Sequence, residues 1–533
     1  MTRIDPATLR AWMTDGKELA VLDAREVGEF GAGHLFWAVP CPFSRREIHA
    51  RALLPRRAVR ICCVDDGRGL AERLAGWLEG IACTGVAVLD GGTKAWAAGG
   101  GELFSGVNVP SKAFGEWVEH HYSTESADPA ALKAWLESDR SVVLLDSRTQ
   151  EEFERMSIPA AINVPGGELV YRVGDLAPDP GTLIVVTCAG RTRSILGAES
   201  LRRAGVPNQV VALRNGTMGW ELAGFCCERG RTERYAPGTP KSAGIALQRA
   251  KGFAEESGVG VIGALDLERF EDDPDRTVYV LDVRDPAEFR AGHRPGSVNA
   301  PGGQLVQATD QWVGVRNARI VLVDDSGVRA RMTGAWLRQM GHRDVFVVEG
   351  GLAAVRASGT APLPVPELAA PAPTIDPAGL ARLLDAGGDT VLVDLARSID
   401  FREGHIQGAH WGVRSRLDAL ARPLAAAKRV VVTSPDGVLA RLALPEVQSL
   451  TAAEIRVLAG GTLAWRQSGR PLASDPGTPP DEACIDVQLR PYDRTTGVAD
   501  AMRAYLAWET GLLSQIARDG TVAFGVGADS AEG

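Results

Sequence analysis

Thr187-Cys188-Ala189-Gly190-Arg191-Thr192-Arg193-Ser194 sets one cysteine beside a glycine and two arginines. The apolar run Leu183-Ile184-Val185-Val186 precedes it, and a helical pattern over 195–204 follows, ending at Gly205. That order predicts a strand, a tight loop and a helix N-terminus. Converging backbone N–H groups and the positive end of a helix favour a thiolate over a thiol, and two arginines add to this. Gly190 lets the backbone curl with no side chain in the way. The loop from Ala189 to Ser194 therefore reads as a cradle for an anion attached to, or attacked by, the Cys188 sulfur. The plain alternative is an inert buried cysteine.

Stepping outward, the elements that position this loop recur four times. An apolar run ends in an aspartate, and an acidic stretch with phenylalanine follows. The instances are Asp23-Ala24-Arg25 with Glu29-Phe30, Asp146-Ser147-Arg148 with Glu152-Phe153, Asp282-Val283-Arg284 with Glu288-Phe289, and Asp394 with Asp400-Phe401. Gly33-His34, Gly292-His293 and Gly404-His405 come next, with Met156-Ser157 in the second copy. A second apolar run then ends at a loop beginning with Asp65, Cys188, Asp324 or Ser434, 42 residues after the aspartate in three copies and 40 in the fourth. A closing landmark follows 31 or 32 residues later: Gly91-Gly92 to Trp96, Asn215-Gly216 to Trp220, Gly350-Gly351 to Val355, and Gly460-Gly461 to Trp465. Constant spacing at three landmarks marks duplicated domains of about one hundred residues.

Within a copy, strands alternate with helical patterns, as in an α/β domain with a mostly parallel sheet. In the second copy helices are expected at 129–137, 150–154, 194–204 and 216–222, and strands at 142–146, 183–187 and 210–213. Asp146 and Cys188 both end strands and belong on the carboxyl rim, where such sheets carry their sites. Between copies, residues 112–122 and 246–256 read as connecting helices, and 360–373 as an Ala/Pro linker. A last helix is expected over 498–518, with Ala501, Tyr505, Trp508 and Leu512 on one face, packed against a neighbouring domain.

The chain has 533 residues and a net charge of −9. With no basic run, no nucleic-acid partner is expected, and no apolar run is long enough for a membrane span. Residues 1–12 lack the apolar core of an export signal. Eight cysteines form no disulfide framework, and no Cys/His cluster has zinc spacing. The expectation is a reduced, cytoplasmic setting with no metal and no cofactor.

These landmarks together resemble the rhodanese family. The carrying residues are the Asp-x-Arg strand end, the Glu-Phe helix, the Gly-His turn, the Cys-x-Gly-x-x-Arg-Ser loop and the final Gly-Gly-x-x-x-Trp. The resemblance implies an α/β fold of four tandem rhodanese-like domains, each a central, mostly parallel β-sheet flanked by helices, at 1–105, 123–235, 259–360 and 374–474, with a helical tail at 475–533. It implies sulfurtransferase chemistry through a cysteine persulfide, between a small-molecule sulfur donor and a thiol or cyanide acceptor. The family's nucleophile falls on Cys188 alone. Asp65, Asp324 and Ser434 cannot carry a sulfane sulfur, so those three domains are expected to be inactive. Paired domains in this family often have one silent half, and the count of four also allows two pseudo-symmetric pairs within the chain; a homodimer is a further possible assembly.

Cys63 mimics the motif, but the ungapped match of Arg60-Ile61-Cys62-Cys63-Val64-Asp65 to Arg319-Ile320-Val321-Leu322-Val323-Asp324 sets it inside a strand. Arg191 and Arg193 are suited to holding a dianionic donor such as thiosulfate, though only one need face it, and Arg193 has the sheet rim near Asp146 as its other destination. Asp146 and Arg148 read either as supporting residues or as a fixed ion pair ordering the rim. Arg172 either lines the pocket or is a solvated loop arginine. Cys226-Cys227 could resolve a persulfide or be ordinary thiols. Mercaptopyruvate or persulfide donors remain open, as does a scaffold or sulfur-carrier role. A phosphatase is disfavoured, because its loop has five residues between Cys and Arg and this one has four.

Overall fold

The computed structural model describes residues 1–354, 372–387 and 389–526. Val355, the third-domain end at 360 and most of the 360–373 linker lie outside the described residues. Four five-stranded sheets follow one another along the chain. In each, every pairing is parallel, and the strands lie in the spatial order first, fifth, fourth, second, third. The fourth strand is thus the middle one, and the loop after it opens at the centre of the carboxyl rim.

In the second domain the strands are Ser126–Ala127, Val142–Asp146, Ile162–Asn163, Leu183–Thr187 and Val210–Leu213. Leu183–Thr187 is buried along its whole length, as a middle parallel strand covered on both faces must be. Alternate residues serve two cores. Leu183 and Val185 pack with Phe153, Ile158 and Trp220 of the same domain. Ile184 and Val186 face a larger core that runs on through the first and third domains to Leu22, Phe114, Leu322 and Trp336. The expected helices form as Pro129–Leu136, Gln150–Arg155, Thr192–Arg203 and Gly216–Leu222. Thr149 caps the second of these with Glu152 in a capping box. The connecting helices are longer than their periodicity showed, at Val109–Tyr122 and Pro240–Glu256, because they start three and six residues earlier with a proline in their first positions. Three features were not anticipated: the edge strands Ser126–Ala127 and Ile162–Asn163 and the helix Leu169–Leu176.

The domains join in two pairs. The second and third meet where Gly166 and Gly167 touch Gly302 and Gly303, so closely that a Cβ on Gly167 would lie 3.0 Å from the Gly303 nitrogen. Fully buried Arg329 crosses that junction to Glu168 at 2.6 Å. The first and fourth meet through the equivalent segments Phe43–Arg45 and Arg414–Leu420. There Ser44 and Ser415 both donate to the buried Glu26 carboxylate, and Arg414 pairs with Glu47 and Glu446. The first and third domains are linked by the Leu19–Arg316 bridge.

Candidate active site

Cys188 follows the middle strand of the second domain and is 2% exposed. Its Sγ lies 3.6 Å from Ser194 Oγ, which donates to the Arg191 carbonyl at 2.7 Å, so the loop closes on itself at its far end. The helix Thr192–Arg203 starts inside the loop and directs its N-terminus at the sulfur's side of the rim. From below, the closing landmark props the loop. Thr217 N–H donates to the Cys188 carbonyl at 2.8 Å and Met218 N–H to Ala189 at 3.0 Å. Gly216 has a φ of +52°, and a Cβ there would stand 2.2 Å from the Cys188 carbonyl oxygen. Gly92, Gly351 and Gly461 sit in the same way beneath Asp65, Asp324 and Ser434. The repeated glycine is therefore required by a backbone crossing, and Trp220 anchors the helix that follows by donating to the Cys226 carbonyl at 3.0 Å.

The three sister loops enter their helices through a left-handed glycine, Gly69, Gly327 or Gly437, where the second loop has Arg191 at a φ of −117°, and they show what the loop's first position can hold. The Asp65 carboxylate accepts N–H from Gly67 at 2.7 Å, Leu70 at 2.7 Å and Ala71 at 3.2 Å. Asp324 accepts from Gly327 at 2.7 Å, Arg329 at 3.0 Å and Ala330 at 3.4 Å. Ser434 Oγ accepts from Ala440 at 3.3 Å. Donors five and six residues beyond the loop's first residue recur, and in the second domain those positions are Arg193 and Ser194. In two copies the loop surrounds a carboxylate of its own; in the second the equivalent position is the Cys188 sulfur, in contact with Ser194 Oγ.

Both loop arginines are engaged by carboxylates, and of the two destinations open to Arg193 it takes the rim, on Glu152 rather than Asp146. Arg191 Nε bonds Glu116 at 2.7 Å, and its other arm meets Glu119, both on the connecting helix Val109–Tyr122. Arg193 makes a two-pronged pair with Glu152 at 2.6 and 2.8 Å and reaches Gln304 of the third domain at 3.3 Å. Burial alone would lower the affinity of Arg193 for its proton, but Glu152, with Cys188 and Asp146 further off, holds it above the ordinary value. Burial likewise pushes Glu152 up, and the positive charges of Arg193 and Arg148 outweigh it, leaving the carboxyl well below the usual range.

Asp146 and Arg148 form a buried fork, Nε to Oδ1 at 2.9 Å and the second arm to Oδ2 at 2.6 Å, and Arg148 also donates to the Met156 carbonyl at 2.6 Å. The same pair with the same turn contact recurs as Asp23–Arg25 and Asp282–Arg284. Its presence beside Asp65 and Asp324 identifies it as the fixed rim pair. Arg172 is neither pocket-lining nor solvated. It is buried in Leu169–Leu176, bonded to Glu168 at 2.9 Å and stacked on Tyr171 and Tyr235. Cys62 and Cys63 lie in the strand Ile61–Val64, where burial pushes the Cys62 thiol up to about 12 and Cys63 well above its ordinary value. Cys226 is exposed, and burial pushes half-buried Cys227 up to about 12. Among the described residues no cluster of three or more His, Cys, Asp or Glu is arranged to hold a metal ion.

The tail supplies what sequence reasoning missed. Its helix, Val498–Asp519, packs Trp508 and Leu512 against Phe36 and Phe104 of the first domain, as expected, and also lies on the cysteine loop itself. Tyr505, Leu506 and Glu509 lie against Gly190, and Glu509 bonds Thr192 Oγ1 at 3.2 Å. Tyr492 reaches Thr217 at 3.2 Å, and Met218, Met502 and Leu506 form an apolar cluster with Ala189 and Tyr505 at its edge. The available signal was a glutamate standing in the buried stripe of Met502, Leu506 and Leu512.

The Rhodanese-like domain model matches residues 128–223 and 265–358. A crystal structure of a thiosulfate sulfurtransferase from Pseudomonas aeruginosa is 44% identical, with 99% of this chain and 100% of that chain covered and a TM-score of 0.93. This chain belongs to the rhodanese family. Its fold is the family's sulfurtransferase fold, used four times. YrkF of Bacillus subtilis (strain 168), provisionally named a sulfur carrier protein, is 28% identical over 135 residues, 23% of this chain and 72% of that protein. The tRNA uridine(34) hydroxylase of Erwinia tasmaniensis is 30% identical over 112 residues, 19% of this chain, and the match spans 31% of the hydroxylase. No helix among the described residues is long and apolar enough to cross a membrane.

Proposed function

We propose that this rhodanese moves the outer sulfur of thiosulfate to a thiophilic acceptor, cyanide or a thiol, through a persulfide on Cys188. The observation that supports the reading is the sister loops: at the position equivalent to Cys188, backbone donors five and six residues on surround a carboxylate at Asp65 and Asp324. At Cys188 the N–H groups of Ala189 to Ser194 serve the thiolate and then the persulfide. The Cys188 thiolate attacks the outer sulfur of thiosulfate, the sulfur–sulfur bond of the donor breaks, and its electron pair leaves with sulfite. The acceptor then attacks the sulfane sulfur and releases Cys188 as thiolate. Because Arg191 and Arg193 are already paired, the N–H groups and the helix N-terminus bear most of the anion's charge. Asp65, Asp324 and Ser434 offer no nucleophilic sulfur, so their domains serve as framework.

A small donor fits Cys188, a residue 2% exposed in a loop covered at Gly190 by the tail helix, better than a partner protein's persulfide does. Steady-state thiocyanate formation from thiosulfate and cyanide, with mercaptopyruvate as parallel donor, tests this. Turnover with thiosulfate that Cys188→Ala abolishes is the expected result. Turnover with mercaptopyruvate alone would overturn the choice of donor.

A further inference from the structure

The tail helix brings to the cysteine loop a carboxylate that the reaction above leaves unused. Glu509 is fully buried. Its Oε1 is saturated by Lys112 Nζ at 2.8 Å, Tyr505 OH at 3.1 Å and Thr192 Oγ1 at 3.2 Å. Its Oε2 is buried and has no donor among the described residues. That free oxygen is turned to the loop, 3.2 Å from where a Cβ on Gly190 would stand, two residues beyond Cys188. A buried carboxylate oxygen without a donor costs about 1–3 kcal/mol. The neighbouring stripe positions hold Met502, Leu506 and Leu512.

Three donors fix Oε1, so Oε2 is oriented without being satisfied. Such an atom repels an anion and attracts a substrate group that carries a proton. In the second half-reaction, an organic thiol brings one. We infer that Glu509 is the proton acceptor for a neutral thiol, the natural second substrate of the Cys188 persulfide. The inference rests on the persulfide reading above. The thiol S–H gives its proton to Oε2, and the freed electron pair attacks the sulfane sulfur. The bond from that sulfur to Cys188 Sγ breaks, leaving its pair on Cys188. The product persulfide takes the proton back from Glu509 as it leaves, so no outside oxidant or reductant is needed. Cyanide attacks as an anion and has no proton to give up.

The test uses the full chain, loaded with thiosulfate, freed of excess donor and discharged in single turnover with either 2-mercaptoethanol or cyanide anion. Glu509→Gln is expected to slow discharge by the thiol at least tenfold relative to discharge by cyanide. Gly190→Ala keeps the carboxylate but sets a methyl against Oε2, and is expected to shift the ratio the same way. Lys112→Met loosens Oε1 and with it the orientation of Oε2, so it too should slow discharge by the thiol more than discharge by cyanide. Equal slowing of both acceptors by Glu509→Gln, or slowing of neither, would overturn the inference and leave Glu509 as a brace for the loop. If wild type takes up no sulfur from thiosulfate, it is the underlying persulfide reading that fails.

Discussion

The backbone N–H of Arg329 donates to the Asp324 carboxylate at 3.0 Å, across the same five-residue step that separates Arg193 from Cys188. The third domain thus keeps a charged occupant in the cradle that the second domain reserves for sulfur. Asp324→Ala strips the acceptor from three N–H groups and from Ser326 Oγ. The expected loss is roughly 2–4 kcal/mol of stability, read from denaturant midpoints. A midpoint unchanged from wild type would mean the carboxylate is incidental to the loop.

Gly216→Ala should be more damaging. The left-handed backbone and a methyl 2.2 Å from the Cys188 carbonyl together cost roughly 2–5 kcal/mol. Turnover should fall with it, since the displaced carbonyl belongs to the nucleophile. Gly461→Ala meets the Ser434 carbonyl at 2.1 Å and is expected to cost similar stability while leaving turnover per folded molecule within twofold. Equal activity losses in both variants would refute the assignment of one working loop.

Glu152→Gln releases Arg193 from its partner while keeping the shape of the helix cap. One negative charge removed from this buried rim should lower the KM for thiosulfate about fivefold at low ionic strength, on the order of 1 kcal/mol. The gain should shrink as salt is added. A raised KM would show that the pair, rather than a free guanidinium, prepares the site.

Glu26 gives a pH dependence away from the site. Burial at the junction of the first and fourth domains pushes its carboxyl up to about 7, against the pull of the Ser415 and Ser44 hydroxyls. The folded state therefore binds this proton more tightly than the unfolded chain. The resulting stabilisation is full below the unfolded value near 4.5 and is lost as pH rises through about 7. The difference amounts to roughly 3 kcal/mol. Wild type should lose thermal stability between pH 5 and 8, and Glu26→Gln should flatten that decline. A decline of equal size in the variant would exclude Glu26 as its source.

The four sheets were legible because the strands and their end residues repeat at fixed spacing, and the run from Arg60 to Asp65 already set Cys63 inside a strand. The closing glycines were legible as landmarks, but their cause, a crossing under the preceding loop, exists only in the folded chain. The surroundings of Cys188 were less legible, because its neighbours come from afar. Arg191 meets Glu116 and Glu119 on a connecting helix more than seventy residues upstream, and Glu509 arrives from the tail more than three hundred residues downstream. Two cationic residues beside a cysteine imply an anion, and the sequence does not say whether that anion is substrate or glutamate. Arg172 was misplaced for a related reason: Gly166-Gly167 reads as loop, and the helix Leu169–Leu176 behind it is stabilised by the third domain.

The most direct test of the central claim is mass spectrometry of the intact chain and of its Cys188 peptide after brief exposure to thiosulfate and removal of excess donor. The account predicts one added sulfur atom per chain, located on Cys188, released by cyanide and absent from Cys188→Ala. Sulfur recovered on Cys63, Cys226 or Cys227, or retained by the Cys188→Ala chain, would contradict it.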